Sequence, residues 1–155
     1  MDIQAWIDAM QSLTSEDAFR ARLSSEQWRR IAPYLVRREL ATGTVLIRQG
    51  QGDRAMHLIA RGSLQVLTAD PAAGRRRAIL LRAGAVVGES SLFGSAPAPA
   101  SVEALSPCVL WSLTGPRLDE LVLRSPSLAL ELLRAAGAVM QVRMRAQLRG
   151  EPIPA

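Results

Sequence analysis

The stretch that invites a chemical reading is GESSLFGSAPAPASV, residues 88–102. It opens like a phosphate-binding turn: a glycine, the acidic Glu89, then small residues that can begin a short helix. Nothing in it is basic, although a pocket for an anion normally supplies a cation. Other chemistries run short of parts. A metal centre on a β-roll wants two or more histidines with a carboxylate, and His57 is the only histidine. Iron–sulfur ligation needs several cysteines, and Cys108 stands alone, in CVLWSL, as a buried thiol. With one histidine and no GxSxG elbow, a nucleophile–base–acid set cannot be assembled. Neither an enzyme nor a metal site is expected.

Composition narrows the field further. The 155 residues make one ordinary domain, with 48% apolar and 21% charged residues, the balance of a globular protein. Aromatics are only 4%, which argues against stacking platforms for single-stranded nucleic acid. The net charge is +5, and all 19 basic residues are arginine. A total absence of lysine reads as codon bias in a GC-rich bacterial genome, so the charge is a weak signal for polyanions. The start MDIQAWIDAM lacks the pattern of a signal peptide. No run approaches the ~20 apolar residues of a membrane span. A cytoplasmic protein with no membrane partner is the expectation.

The elements that must position residues 88–102 fall in three zones of a single domain spanning 1–155. Residues 1–35 read as helical: Ile3, Trp6, Ile7 and Met10 recur at helical spacing, and Ser24 or Ser25 can cap a second helix that turns Leu23, Trp28, Ile31 and Leu35 inward. Residues 36–113 change texture, with short apolar runs (TVLIRQ, AMHLIA, SLQVLT, RRAILLR, AVV, ASVEAL, CVLWSL) cut by glycines. That pattern predicts a β-roll of short strands, with ADPAAGR as a hairpin loop. Residues 114–150 return to helix. Thr114 with Pro116, and Ser125 with Pro126, can open two helices, the second stopped by Gly150. The fold class is therefore α+β: a jelly-roll-like double-stranded β-helix flanked by an N-terminal helical segment and two C-terminal helices.

With that order in place, ATGTVLIRQGQGDRAMHLIARGSLQVL resembles the first half of a cyclic nucleotide-binding domain, the family of the bacterial catabolite activator and the regulatory subunits of cAMP-dependent kinase. Gly43, Gly50, Gly62 and Asp53 carry the likeness. LRAGAVVGESSLFGSAPAPASVEAL resembles the second half, where Gly84 and Gly88-Glu89 open the phosphate-binding cassette. The resemblance covers essentially the whole chain. It implies a cassette of Gly88, Glu89, Ser90, Ser91, Ala98, Pro99, Ala100 and Ser101. The N–H groups of Ser90 and Ser91 would start a short helix and favour an anion, and Glu89 would accept the ribose 2′-hydroxyl. The implied ligand is a cyclic nucleotide, cAMP or cGMP, held weakly.

The weakness follows from a departure. In the family an arginine later in the cassette pairs with the cyclic phosphate and the next N–H also donates. Counting from Gly88, these positions hold Ala98 and Pro99, which has no N–H. No arginine lies between Arg82 and Arg117, so no gap restores one. Hydrogen bonds to charged groups contribute ~1.5–3 kcal/mol each, so the loss weakens binding by about two to four decades and leaves Glu89 facing an anion uncompensated. Arg82, Arg75-Arg76-Arg77, Arg143, Arg145 and Arg149 are the remote candidates to substitute, and solvated surface is the reading expected of them. The chain then reads as a non-catalytic sensor module, or as a scaffold for an unidentified protein partner, or as a roll for a different small ligand. No helix-turn-helix segment follows the last helix, so direct sequence-specific DNA binding is not expected. In that helix Leu128, Leu132, Ala135, Val139, Val142 and Ala146 alternate spacings of four and three, the seam of a coiled coil. They predict either a homodimer or a lid packed on the chain's own roll.

Overall fold

The computed structural model describes residues 2–52, 54–70 and 75–150; Asp53 and the centre of the ADPAAGR loop lie outside them. The N-terminal periodicity becomes α1 (Gln4–Ser12) and α2 (Ser25–Ile31), followed by a 3-10 turn at Ala32–Tyr34. Ser24 caps α2 reciprocally with Gln27: its hydroxyl accepts the Gln27 N–H, and the Gln27 side chain accepts the Ser24 N–H. Among the described residues eight strands follow: β1 (Val36–Leu40), β2 (Val45–Ile47), β3 (Ala55–Arg61), β4 (Ser63–Asp70), β5 (Arg75–Arg82), β6 (Val86–Val87), β7 (Ser101–Ala104) and β8 (Cys108–Thr114). Two helices close the described chain, α3 (Gly115–Arg124) and α4 (Pro126–Leu148).

The strands form two antiparallel sheets, ordered β1-β8-β3-β6 and β2-β7-β4-β5. Strand β1, VRREL, escapes a reading based on apolar runs because four of its five residues are exposed; ladder bonds to β8 hold it, not burial. The central strands β3 and β8 are covered on both faces. Met56, Leu58, Trp111 and Leu113 meet the helices in a core that also holds Trp6, Phe19 and Trp28, whose rings pack at 5.8–6.4 Å. Ile59 and Leu110 point the other way, into an inter-sheet core with Leu64, Leu81, Val87 and Val102.

The predicted cap forms at α3, whereas Ser125 stands at the start of α4 without a side-chain capping hydrogen bond. Thr114 accepts the Arg117 N–H at the start of α3, with proline in its first turn, and Ser125 precedes α4. The alanine content of α4 has a packing purpose. Ala129, Ala135, Ala136 and Ala146 are buried, and such small side chains let the helix axis approach what it covers.

Gly84 locks the roll to α1. Its φ is +96°, and a Cβ there would collide with the backbone carbonyl of Ala9. A left-handed conformation and a rigid neighbour act together. Gly84→Ala is therefore expected to lower unfolding free energy by at least about 2 kcal/mol, read as a fall in urea midpoint without loss of the mixed strand-and-helix circular dichroism.

Candidate functional site

Between the β2-β7-β4-β5 sheet, the segment 88–100 and the second half of α4 lies a cavity of about 430 Å³. Its walls are mainly apolar: Ile47, Val66, Ile79 and Val102 from the sheet, Met140 and Met144 from α4. At one end residues 88–92 make the expected bend. Gly88 has φ +78°, and an added Cβ would sit 2.5 Å from the Ala55 carbonyl oxygen, so the bend presses against β3 in a way only glycine allows. A four-residue 3-10 turn, Glu89–Leu92, follows.

The sequence-derived cassette residues are largely gathered here. Gly88, Glu89, Ser90, Ser91, Ala98, Pro99 and Ala100 all line the cavity; Ser101 does not, and its hydroxyl accepts the Gln49 N–H across to the β2 side. What these residues offer a ligand is limited. The Ser91 N–H donates to the Gly88 carbonyl, and its hydroxyl lies 2.6 Å from that same oxygen and 3.1 Å from the Ala55 carbonyl. The Ala98 N–H donates to the Gln51 carbonyl at 2.9 Å, while Ala98 accepts from Gly50. Pro99 has no N–H.

Glu89 is not uncompensated, which corrects the sequence reading, as does the position of Arg143. Expected on the solvated surface, Arg143 has a side chain only 15% exposed and reaches from α4 into the roll. Its Nη1 donates to Glu89 Oε2 at 2.9 Å, its Nε to Asp17 Oδ2 at 2.9 Å, and its Nη2 to the Val86 carbonyl at 2.8 Å. Both carboxylates are buried. The planar guanidinium satisfies three acceptors on three separate elements, a geometry a lysine ammonium lacks. One sequence signal pointed to it: Ala136, Val139, Arg143 and Ala146 share a helical stripe, so an arginine sits among residues that face inward. Asp17, in the loop between α1 and α2, gave no comparable signal.

The seam residues of α4 also face inward. Leu128, Leu132, Ala135, Val139 and Ala146 are buried by the chain itself, and Val142 is half-buried. This stripe is the helix's packing face. Leu130 and Leu148 are exposed on the outward side, and Met144 is partly exposed at the open edge of the cavity. Where α4 crosses the 3-10 turn, Gly137 faces Phe93: a Cβ on Gly137 would lie 3.8 Å from the ring tip.

His57 is fully buried, its Nδ1 2.7 Å from the Ser112 hydroxyl. Burial pushes the Cys108 thiol above its ordinary value, partly offset by hydrogen bonding to Ser106 and Ser63. Among the described residues no cluster of three or more His, Cys, Asp or Glu side chains is placed to hold a metal ion, and no helix is long and apolar enough to cross a membrane.

Comparison with known proteins agrees with this geometry. The profile of the cyclic nucleotide-binding domain matches residues 37–125. A candidate potassium channel protein of Rhodopseudomonas palustris is 33% identical over 99 residues, 64% of this chain and 24% of the channel protein. The catabolite activator protein of Thermus thermophilus superposes with a TM-score of 0.71 at 28% identity, over 83% of this chain and 59% of that one. A cyclic nucleotide-binding domain from Methylobacillus flagellatus shares the fold at a TM-score of 0.81 and 21% identity, over 95% of this chain and 80% of that one. The chain thus spans about a quarter of the channel relative and under two thirds of the activator.

Arg143→Met, which strands two buried carboxylates, is expected to cost about 3–5 kcal/mol in unfolding free energy, measured by urea denaturation. The raised thiol pKa gives a second expectation. Cys108 contributes stability that is complete below its ordinary value of 9.0 and declines as pH climbs through the folded value. At pH 8 the native protein should therefore resist iodoacetamide, whereas the urea-unfolded chain should be alkylated at one site by mass spectrometry.

Proposed function

We propose, given that the chain belongs to the cyclic nucleotide-binding domain family, that it is the sensing part of a regulatory protein and does not clamp a cyclic phosphate in the family's usual way. The observation that carries this reading is the state of the loop after the 3-10 turn. Ala98 stands where the resemblance expects the phosphate-pairing arginine, its N–H is committed to Gln51, and Pro99 has none to give. The described basic group at the cavity, Arg143, is already engaged by Glu89 and Asp17. What remains is a roll, a pocket and a helix that lines the pocket. Such a helix reports occupancy whenever a ligand binds its closed and displaced positions with different affinity. No catalytic role is proposed.

The outward side of α4 favours a second, compatible reading. Leu130 and Leu148 are exposed 18 residues apart on one side of the helix, and we assign to that side the homodimer that the inward stripe cannot support while it packs on the roll. Sedimentation velocity should then show a dimer that Leu130→Glu with Leu148→Glu converts to monomer.

Titration calorimetry tests the main reading. The parent should give no saturable heat with cAMP or cGMP at micromolar concentrations. Ala98→Arg with Pro99→Ala should gain cAMP affinity by about two decades or more. Saturable micromolar binding by the parent would overturn the reading, and an unchanged double variant would show the loop to be misplaced.

A further inference from the structure

We propose that the cavity takes an uncharged, mainly apolar small molecule, and that the buried cluster at its end discriminates against anions. The inference rests on the reading of the roll as a ligand-sensing pocket and adds the class of ligand. Its first ground is the wall. Val66, Val102 and the two α4 methionines present hydrocarbon and thioether surface, and a space of about 430 Å³ falls within the ~300–1,000 Å³ of small-molecule sites. Met140 and Met144 are unbranched and polarizable, so the lid side can reshape around ligands of different outline.

The second ground is charge. Arg143 brings one positive charge to the pocket end, but Glu89 and Asp17 bring two negative ones, all within hydrogen-bond distance and largely removed from water. The cluster therefore carries an excess of negative charge, where screening by solvent is weak. Each nitrogen of the guanidinium already donates to a protein oxygen. These bonds use three of its five N–H donors, and a ligand anion that drew Arg143 away from Glu89 or Asp17 would leave that carboxylate buried and unpaired. Of the backbone donors here, the Ser91 and Ala98 amides are already bonded within the protein and Pro99 has none. A neutral molecule meets neither penalty and gains the apolar wall. Thr68, Ser90 and Gln147 at the margin can orient a polar edge.

Two fluorescent probes that differ by one sulfonate provide the test: neutral N-phenyl-1-naphthylamine and anionic 8-anilino-1-naphthalenesulfonate, each titrated into the full chain. The neutral probe should saturate at one site per chain and bind at least about tenfold tighter than the anionic one. Val66→Trp, which fills the cavity, should abolish saturable binding. Glu89→Gln, which leaves the Arg143–Asp17 pair in place, should shrink the gap between the probes to about twofold or less. Equal or tighter binding of the anionic probe to the parent overturns the inference, as does a gap that Glu89→Gln leaves intact in a protein with parental melting temperature. If neither probe saturates while Ala98→Arg with Pro99→Ala still gains cAMP, this inference falls and the proposed function stands. Micromolar cAMP binding by the parent removes both.

Discussion

The guanidinium of Arg143 joins parts of the chain that are remote in sequence: Asp17 lies 126 positions away, Val86 57 and Glu89 54. Each of these belongs to a different element, and each presents an oxygen that would be buried without a partner if α4 moved off. The apolar contacts of α4 are non-directional and would tolerate a helix sliding by part of a turn. The three-way hydrogen bond is directional and fixes both the rotation of the helix and its height above the roll. Much else in the site follows from that setting. Met140 and Met144 border the cavity because Arg143 faces the 3-10 turn, and Leu130 and Leu148 face outward for the same reason.

A positively charged pocket end and a neutralised one support different chemistry even when the backbone is the same. Here the bend at Gly88, the short turn after it and the surrounding strands conserve the frame on which an anion site is built. The side chains that fill the frame do not match that use. Alanine and proline occupy the loop, and the cation nearest the turn is shared between two carboxylates. Fold similarity to the activator of Thermus thermophilus and to the domain from Methylobacillus flagellatus therefore speaks to the frame, and the ligand has to be argued from the residues lining this cavity.

Local chemistry made a good part of this legible in the sequence. Glycine at 84 and 88, a serine cap at 24 or 25, Thr114 before a proline and the apolar runs of β3 and β8 each act over a few residues, and each lies where its pattern placed it. The misses share a cause. Strand β1 is held by ladder bonds to β8, roughly 70 residues later, and four of its five residues are exposed, so no periodicity marks it. Arg143 was visible as a charge on an apolar stripe, but its partners could be found only once the roll had brought the N-terminal loop and the turn together. The seam of α4 has the spacing of an intermolecular interface, and spacing alone does not say whether the covering surface belongs to another molecule or to the same one.

The small gap at Gly137 acquires a mechanical meaning beside that tie. Phe93 rests against α4 at Gly137, and the end of the same turn is bonded to Arg143, six residues further along the helix. At 1.5 Å per residue the two attachments are about 9 Å apart along the axis. Two points define a line, so α4 cannot swivel on the turn as it could on a single pivot. A displacement of α4 would disturb both attachments to the turn together.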